Sequence, residues 1–236
     1  MTQSGANPDG LVLEYLNPWQ IVRQSLADRI IDGSLKPGAP LSETTLANEY
    51  GLSRGPIRTA LQDLARVGLV TPGEATKRRM GVARFEARDI DELHEVTCGL
   101  ERIAARISAK NATDDDISTL YQHLEEMEQA QQTDELYLSV KTDLAFHQHL
   151  VDMSDNSRLL ILWSTMVEQI RYTIATTRRS VHQIIWAESN RPIAEAVAAH
   201  DSDAAEKAVV RAFEVAHRRV VDYRLQAEHD ANTERP

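Results

Sequence analysis

The stretch Leu52-Ser53-Arg54-Gly55-Pro56-Ile57-Arg58-Thr59-Ala60-Leu61-Gln62-Asp63-Leu64-Ala65-Arg66 decides the fold of the first third of the chain. Leu52 packs inward, and Ser53 stands as the cap of a helix over residues 54–66. Pro56 is tolerated in its first turn, where no intrahelical N–H bond is required. Ile57, Leu61 and Leu64 recur at i, i+4 and i+7 and must face a core, whereas Arg54, Arg58 and Gln62 share a second face. Working back from this helix, Gly51 ends a shorter one, Glu43 to Tyr50, which Ser42 caps and whose Leu46 and Ala47 point inward. Before it, Leu35-Lys36-Pro37-Gly38 reads as a turn, and Leu41 anchors the chain. A first helix starts at Pro18 with Ile21, Val22, Leu26 and Ile30 at helical spacing and stops at Gly33. A short helix, a tight turn and a second helix with Arg at its exposed N-terminal end form a helix-turn-helix pattern.

Beyond the helix, Gly68-Leu69-Val70 leaves into a strand, residues 73–78 turn, and Arg79 to Phe85 return as the second strand of a wing. Lys77, Arg78 and Arg79 at its tip suit backbone phosphates. Ser53, Arg54, Gly55 and Arg58 at the helix start are the candidate base or phosphate contacts, and one sequence does not separate the two roles. Exposed arginines also serve simply to solvate a helix. The ordered series of cap, helices and wing favours the DNA reading.

Charge distribution points the same way. The chain of 236 residues carries a net charge of −10, which taken alone argues against a nucleic-acid partner. Residues 1–85, however, hold ten Lys/Arg against eight Asp/Glu, and residues 86–236 hold sixteen against twenty-eight. Between Ser53 and Arg84 seven basic residues face only Asp63 and Glu74. A basic head therefore sits on an acidic body. The expected divisions are a flexible arm (1–16), a winged head (17–85), an all-helical body (86–228) and a frayed tail (229–236). Cys98 alone excludes an intramolecular disulfide and fits a reducing compartment. No run approaches the length of a membrane span, so a cytoplasmic protein with no membrane partner is expected.

At this point a family resemblance emerges. Residues 19–84 resemble the GntR-type winged helix through Ile30-Ile31-Asp32-Gly33-Ser34-Leu35-Lys36-Pro37-Gly38, Leu41-Ser42-Glu43, Leu46-Ala47, Ser53 to Leu61, Leu64 and Gly68-Leu69-Val70. Thr44, a further candidate DNA contact, stands where related proteins often carry a DNA-contacting Arg, and the wing's glycine is displaced to Gly81.

From Arg88 to about Glu228 the chain reads as helix, and composition poor in aromatics (5%) agrees. Ile90, Leu93, Val96, Leu100, Ile103 and Ile107 form one long apolar stripe. Thr113 caps a helix that begins Asp114-Asp115-Asp116. Further helices are expected near 134–153, 156–179, 182–199 and 202–227, with Pro192 interrupting the third of these. Asp143-Leu144-Ala145-Phe146-His147 and the segment Pro192-Ile193 to Ala196-Val197, Asp201 and Ala204-Ala205 resemble the FCD effector domain of the FadR subfamily.

The resemblance implies a helical bundle around a pocket, often with a divalent metal (zinc, nickel or manganese) held by one Asp and three His. Here it carries over only to Asp143 and His147, which share a helix face at i, i+4. The other two positions fall on Asn190 and Ala212, so the metal set is incomplete and the pair reads first as a polar wall. Thr97 replaces the Arg that receives effector carboxylates in relatives. His149 points away from His147, His200 lies at a helix end, and His217 is displaced from the Ala212 face; His182 has no motif behind it. Arg171 is placed to receive an acid group, Trp163, Tyr172 and Trp186 to form aromatic walls, and Cys98 to border the pocket. The implied effector is a small molecule, larger or less charged than a small di- or tricarboxylate. The implied function is an effector-controlled repressor that binds double-stranded operator DNA as a homodimer. The rivals are a ligand-free architectural protein and a metal-dependent enzyme. No nucleophile motif or phosphate loop supports the latter.

Overall fold

A computed structural model describes residues 17–72, 80–133, 136–178 and 186–233. The head comprises α1 (Pro18–Ile31), β1 (Pro40–Leu41), α2 (Glu43–Tyr50), α3 (Arg54–Arg66), β2 (Val70–Pro72) and β3 (Met80–Val82). The body comprises α4 (Ala87–Asn111), α5 (Asp114–Gln131), α6 (Leu136–Asp152), α7 (Ser157–Arg178), α8 (Trp186–Ala198) and α9 (Ser202–Thr233). The protein is thus mostly helical, a winged helix-turn-helix joined to a helical bundle.

Local chemistry explains the element boundaries. Ser42 Oγ accepts the Thr45 N–H at the start of α2, and Gly51 ends α2 in the left-handed region at φ 64°, which glycine adopts without Cβ strain. Ser53 occupies the cap position of α3 in extended geometry, but its side chain makes no capping bond, unlike the expectation. Thr113 and Asp116 form a reciprocal capping box at α5. The three strands order as β1-β3-β2, all antiparallel, with Leu41 opposite Met80 and Thr71 opposite Gly81. β1 is too short to show alternation and lay hidden in a stretch that reads as a turn.

Val22, Leu26 and Ile30 of α1 close over Ile57, Leu61 and Leu64 of α3, and all six are buried. Each such side chain contributes roughly 1.5–3 kcal/mol by leaving water. Ile21, read as part of the same stripe, faces solvent.

The body departs more from expectation. Its central helix, α4, buries Thr97, Glu101, Ala104, Ala105, Ser108 and Ala109, not the apolar stripe. Small residues there let α6, α8 and α9 approach closely, and a polar pair is enclosed with them. Arg102 and Arg106 of α4 both donate to Glu206 of α9 along the outer edge. Pro192 does not split α8: it lies on the exposed side of a continuous helix. Helix α9 runs past the expected end near residue 227 to Thr233. Among the described residues no helix is long and apolar enough to cross a membrane.

Candidate DNA face, interdomain seam and polar core

The DNA face is built on the α2–α3 turn. Arg54 and Arg58 are one turn apart on α3 and expose 60% and 56% of their side chains. Neither is loose. Arg58 donates Nε and Nη2 to the two carboxylate oxygens of Glu43, both at 3.0 Å, and Arg54 donates Nη2 to Glu43 Oε2 at 3.0 Å. These bonds, Arg58's first, hold the Glu43 carboxyl down to about 2. Thr44, Ser53 and Gly55 are exposed beside them. Lys77, Arg78 and Arg79 lie outside the described residues. Glu43 was missed from sequence because its arginines stand eleven and fifteen residues away, a spacing with no helical signature.

Head and body meet along α7. Arg23 of α1 donates to Asp63 of α3 at 3.2 Å and to Glu168 of α7 at 2.6 Å. Arg171 of α7 donates to Asp28 of α1 at 2.7 Å and also approaches Glu168 at 3.8 Å. A chain of charges, Asp63–Arg23–Glu168–Arg171–Asp28, therefore joins the recognition helix to the body. Phe85 packs against Tyr172 with ring centroids 4.9 Å apart. Gly68, at φ 79°, leaves room for Gln169; a Cβ there would come within 2.7 Å of Gln169 Nε2. Arg171 and Tyr172, expected in the effector pocket, thus belong to this seam. Amphipathic spacing put them on an inner face of α7 without showing that the head covers it.

The polar core lies between α4, α6 and α8. His147 Nδ1 is 2.6 Å from Glu101 Oε2, and His147 Nε2 is 3.7 Å from Asp143 Oδ1. Asn190 Nδ2 donates to Asp143 Oδ1 at 3.2 Å. All four residues are buried. Burial works against a charged imidazole, but the Glu101 and Asp143 carboxylates outweigh it and raise His147 to about 10. Burial also pushes Glu101 up, so the proton in the short bond titrates with the pair as a unit. Thr97 is buried one turn before Glu101, its hydroxyl donating to Leu93 O at 2.7 Å. Burial pushes the thiol of the neighbouring, half-buried Cys98 up.

Sequence reasoning brought Asp143, His147, Asn190 and Thr97 to one region and missed Glu101. The signal was present: Thr97 and Glu101 are i, i+4 on α4. Trp163 is buried in the core, its indole donating to Gln148 Oε1 at 2.7 Å. The Trp186 side chain and His182 lie outside the described residues. His149 bonds Asp116 O, His200 bonds Ala109 O, and His217 lies near Asp91, so none of the three joins His147.

The donor set does not fit a tightly held divalent ion. Asp143 and His147 Nε2 supply only two candidate ligands where three or four are usual, and Asn190 is turned with its N–H towards Asp143. Among the described residues no group of three or more His, Cys, Asp or Glu converges on a metal-sized position.

A winged helix-turn-helix on a helical domain with a buried polar centre defines a DNA-binding transcription regulator with an effector-binding body. The chain belongs to the GntR family of bacterial regulators in its FadR-type form: residues 19–76 match "Bacterial regulatory proteins, gntR family", and residues 92–215, more than half the chain, match the FCD domain. Among curated relatives, the uncharacterised HTH-type regulator YdhC of Bacillus subtilis is 29% identical over 80% of this chain and 84% of its own length. A probable D-xylose utilization operon repressor of Paenarthrobacter nicotinovorans is 28% identical over 80% and 82%. The solved structure of Escherichia coli McbR/YncC covers 90% of this chain and 99% of its own, with a TM-score of 0.71 at 22% identity, a likeness of fold.

Proposed function

We propose that this protein is a cytoplasmic, homodimeric repressor that releases its operator when a small molecule enters the polar core of the body. The charge chain Asp63–Arg23–Glu168–Arg171–Asp28 carries this reading, because it ties the recognition helix to a body helix that packs against the core-lining α4 and α6. An effector that shifts α6 or α7 changes the placement of the head and so biases DNA affinity. Arg54 and Arg58 make the principal DNA contacts, with Ser53, Gly55 and Thr44 beside them and Lys77, Arg78 and Arg79 on the wing. The relative described as a repressor supports the sign of regulation.

The core works without a metal and without turnover. Two carboxylates face one imidazole, and Thr97 stands where an Arg would receive an anion, so small di- or tricarboxylates are disfavoured and a less charged or hydrogen-bond-donating effector fits better. Dimerisation is supported by the stripe that α4 does not bury. Val96 and Ile103 are 53% and 50% exposed, and Ile161 and Leu162 of the adjacent α7 are 55% and 52% exposed. Branched apolar side chains on two neighbouring helices suit a second copy of this chain. Val96→Glu with Ile103→Glu should sediment as a folded monomer.

A metabolite library read by thermal shift tests the effector reading. A ligand that raises Tm and lowers operator affinity in the same concentration range supports it. If every stabilising ligand leaves DNA binding unchanged, effector control is wrong. If none stabilises at all, the architectural reading takes its place.

A further inference from the structure

We propose that Glu43 is a positioning residue for DNA readout: it holds Arg54 and Arg58 in one fixed arrangement before DNA arrives and so sets which bases they read. A guanidinium has two donor edges, one formed by Nε and Nη2 and the other by Nη1 and Nη2. In Arg58 the first edge is taken by the Glu43 carboxylate in a two-point fork. The second edge stays available, with the parallel pair of N–H donors that matches guanine O6 and N7. Arg54 is gathered by the same carboxylate through Nη2, so one acid fixes the relative position of both cations.

The placement of Glu43 suits this role. It is the first residue of α2, capped by Ser42, and α2 packs on α3 through the buried Leu46 and Ala47. The carboxylate thus rides on the head's framework and not on a loop. An acid on a surface that meets phosphates weakens binding to any DNA by repulsion. Its presence there is explained if the gain in discrimination exceeds that loss. Thr44, next in sequence, lacks the charge to replace either arginine.

The test uses the full chain and a duplex of about 20 base pairs enriched by it from a randomised library, with a scrambled duplex of equal length as the non-specific probe. In Glu43→Gln, affinity for the selected duplex should fall about tenfold, while affinity for the scrambled duplex stays level or rises. Adding Glu43→Ala to the pair Arg54→Ala and Arg58→Ala should weaken binding little further, because the carboxylate acts through those two arginines. A helix-stabilising role alone would lower both affinities together and leave their ratio intact. An unchanged or increased ratio for Glu43→Gln, with intact helical content, overturns the proposal.

Discussion

Arg23 on α1 bonds Asp63 of the recognition helix and Glu168 of α7 at once, at 3.2 and 2.6 Å, so one guanidinium spans the DNA-reading element and the effector body. Burial lowers the basicity of such a group, but here the two carboxylates win and raise it. Glu168 in turn is buried and approached by Arg171.

Removing the central acid should therefore leave two half-buried guanidinium groups undercompensated. Glu168→Gln is expected to lose about 2 kcal/mol of stability, seen as a Tm lower by roughly 4–8 °C. Any effector-dependent change in operator affinity should shrink in the same variant. A Tm within a degree of the parent would show that the seam is not held by these charges.

Glu101→Gln should destabilise the protein by about 3 kcal/mol, because His147 keeps its burial and loses its closest carboxylate. Replacing the whole charged set, Glu101→Leu with His147→Leu and Asp143→Asn, should recover most of that loss, measured by chemical denaturation. In the parent, dialysis against a chelator should leave Tm unchanged, and added zinc, nickel or manganese should not raise it. A reproducible rise of several degrees with one of these ions would contradict a metal-free core.

Legibility followed the kind of signal. In the head, capping residues, left-handed glycines and the Ile57, Leu61, Leu64 spacing are local, so the order and bounds of α1, α2 and α3 were readable. The body's helices were readable for the same reason, from Thr113 at α5 to Asp143 and His147 on one face of α6. What pairs with what was not. The apolar stripe of α4 reads as core by period, yet Thr97 and Glu101 face inward, because a hydrophobic period does not by itself say which face of a helix its neighbours cover. Arg171 and Glu43 found partners 143 and 11–15 residues away, separations that only the folded chain closes.

The histidine at the α4–α9 contact should make stability pH-dependent. Burial pushes the His94 imidazole down to about 4, His217 beside it acts in the same direction, and the Phe213 backbone and Asp91 oppose them. The unfolded chain takes up this proton near pH 6.5, the folded chain only near 4. Stability from this group is complete above 6.5 and falls as pH drops through that window. Between pH 7 and pH 5, Tm should drop by a few degrees, and His94→Phe should lose less than the parent. Equal losses in the two proteins would remove His94 as the cause.

The most direct test measures operator affinity by fluorescence anisotropy for the parent, Arg54→Ala and Arg58→Ala, with circular dichroism confirming unchanged helix content. Each substitution should weaken binding to the selected duplex by roughly 10–100-fold, with a smaller effect on the scrambled one. Binding by both variants within about twofold of the parent, a difference too small for a lost base contact, would contradict the assignment of α3 as the recognition helix.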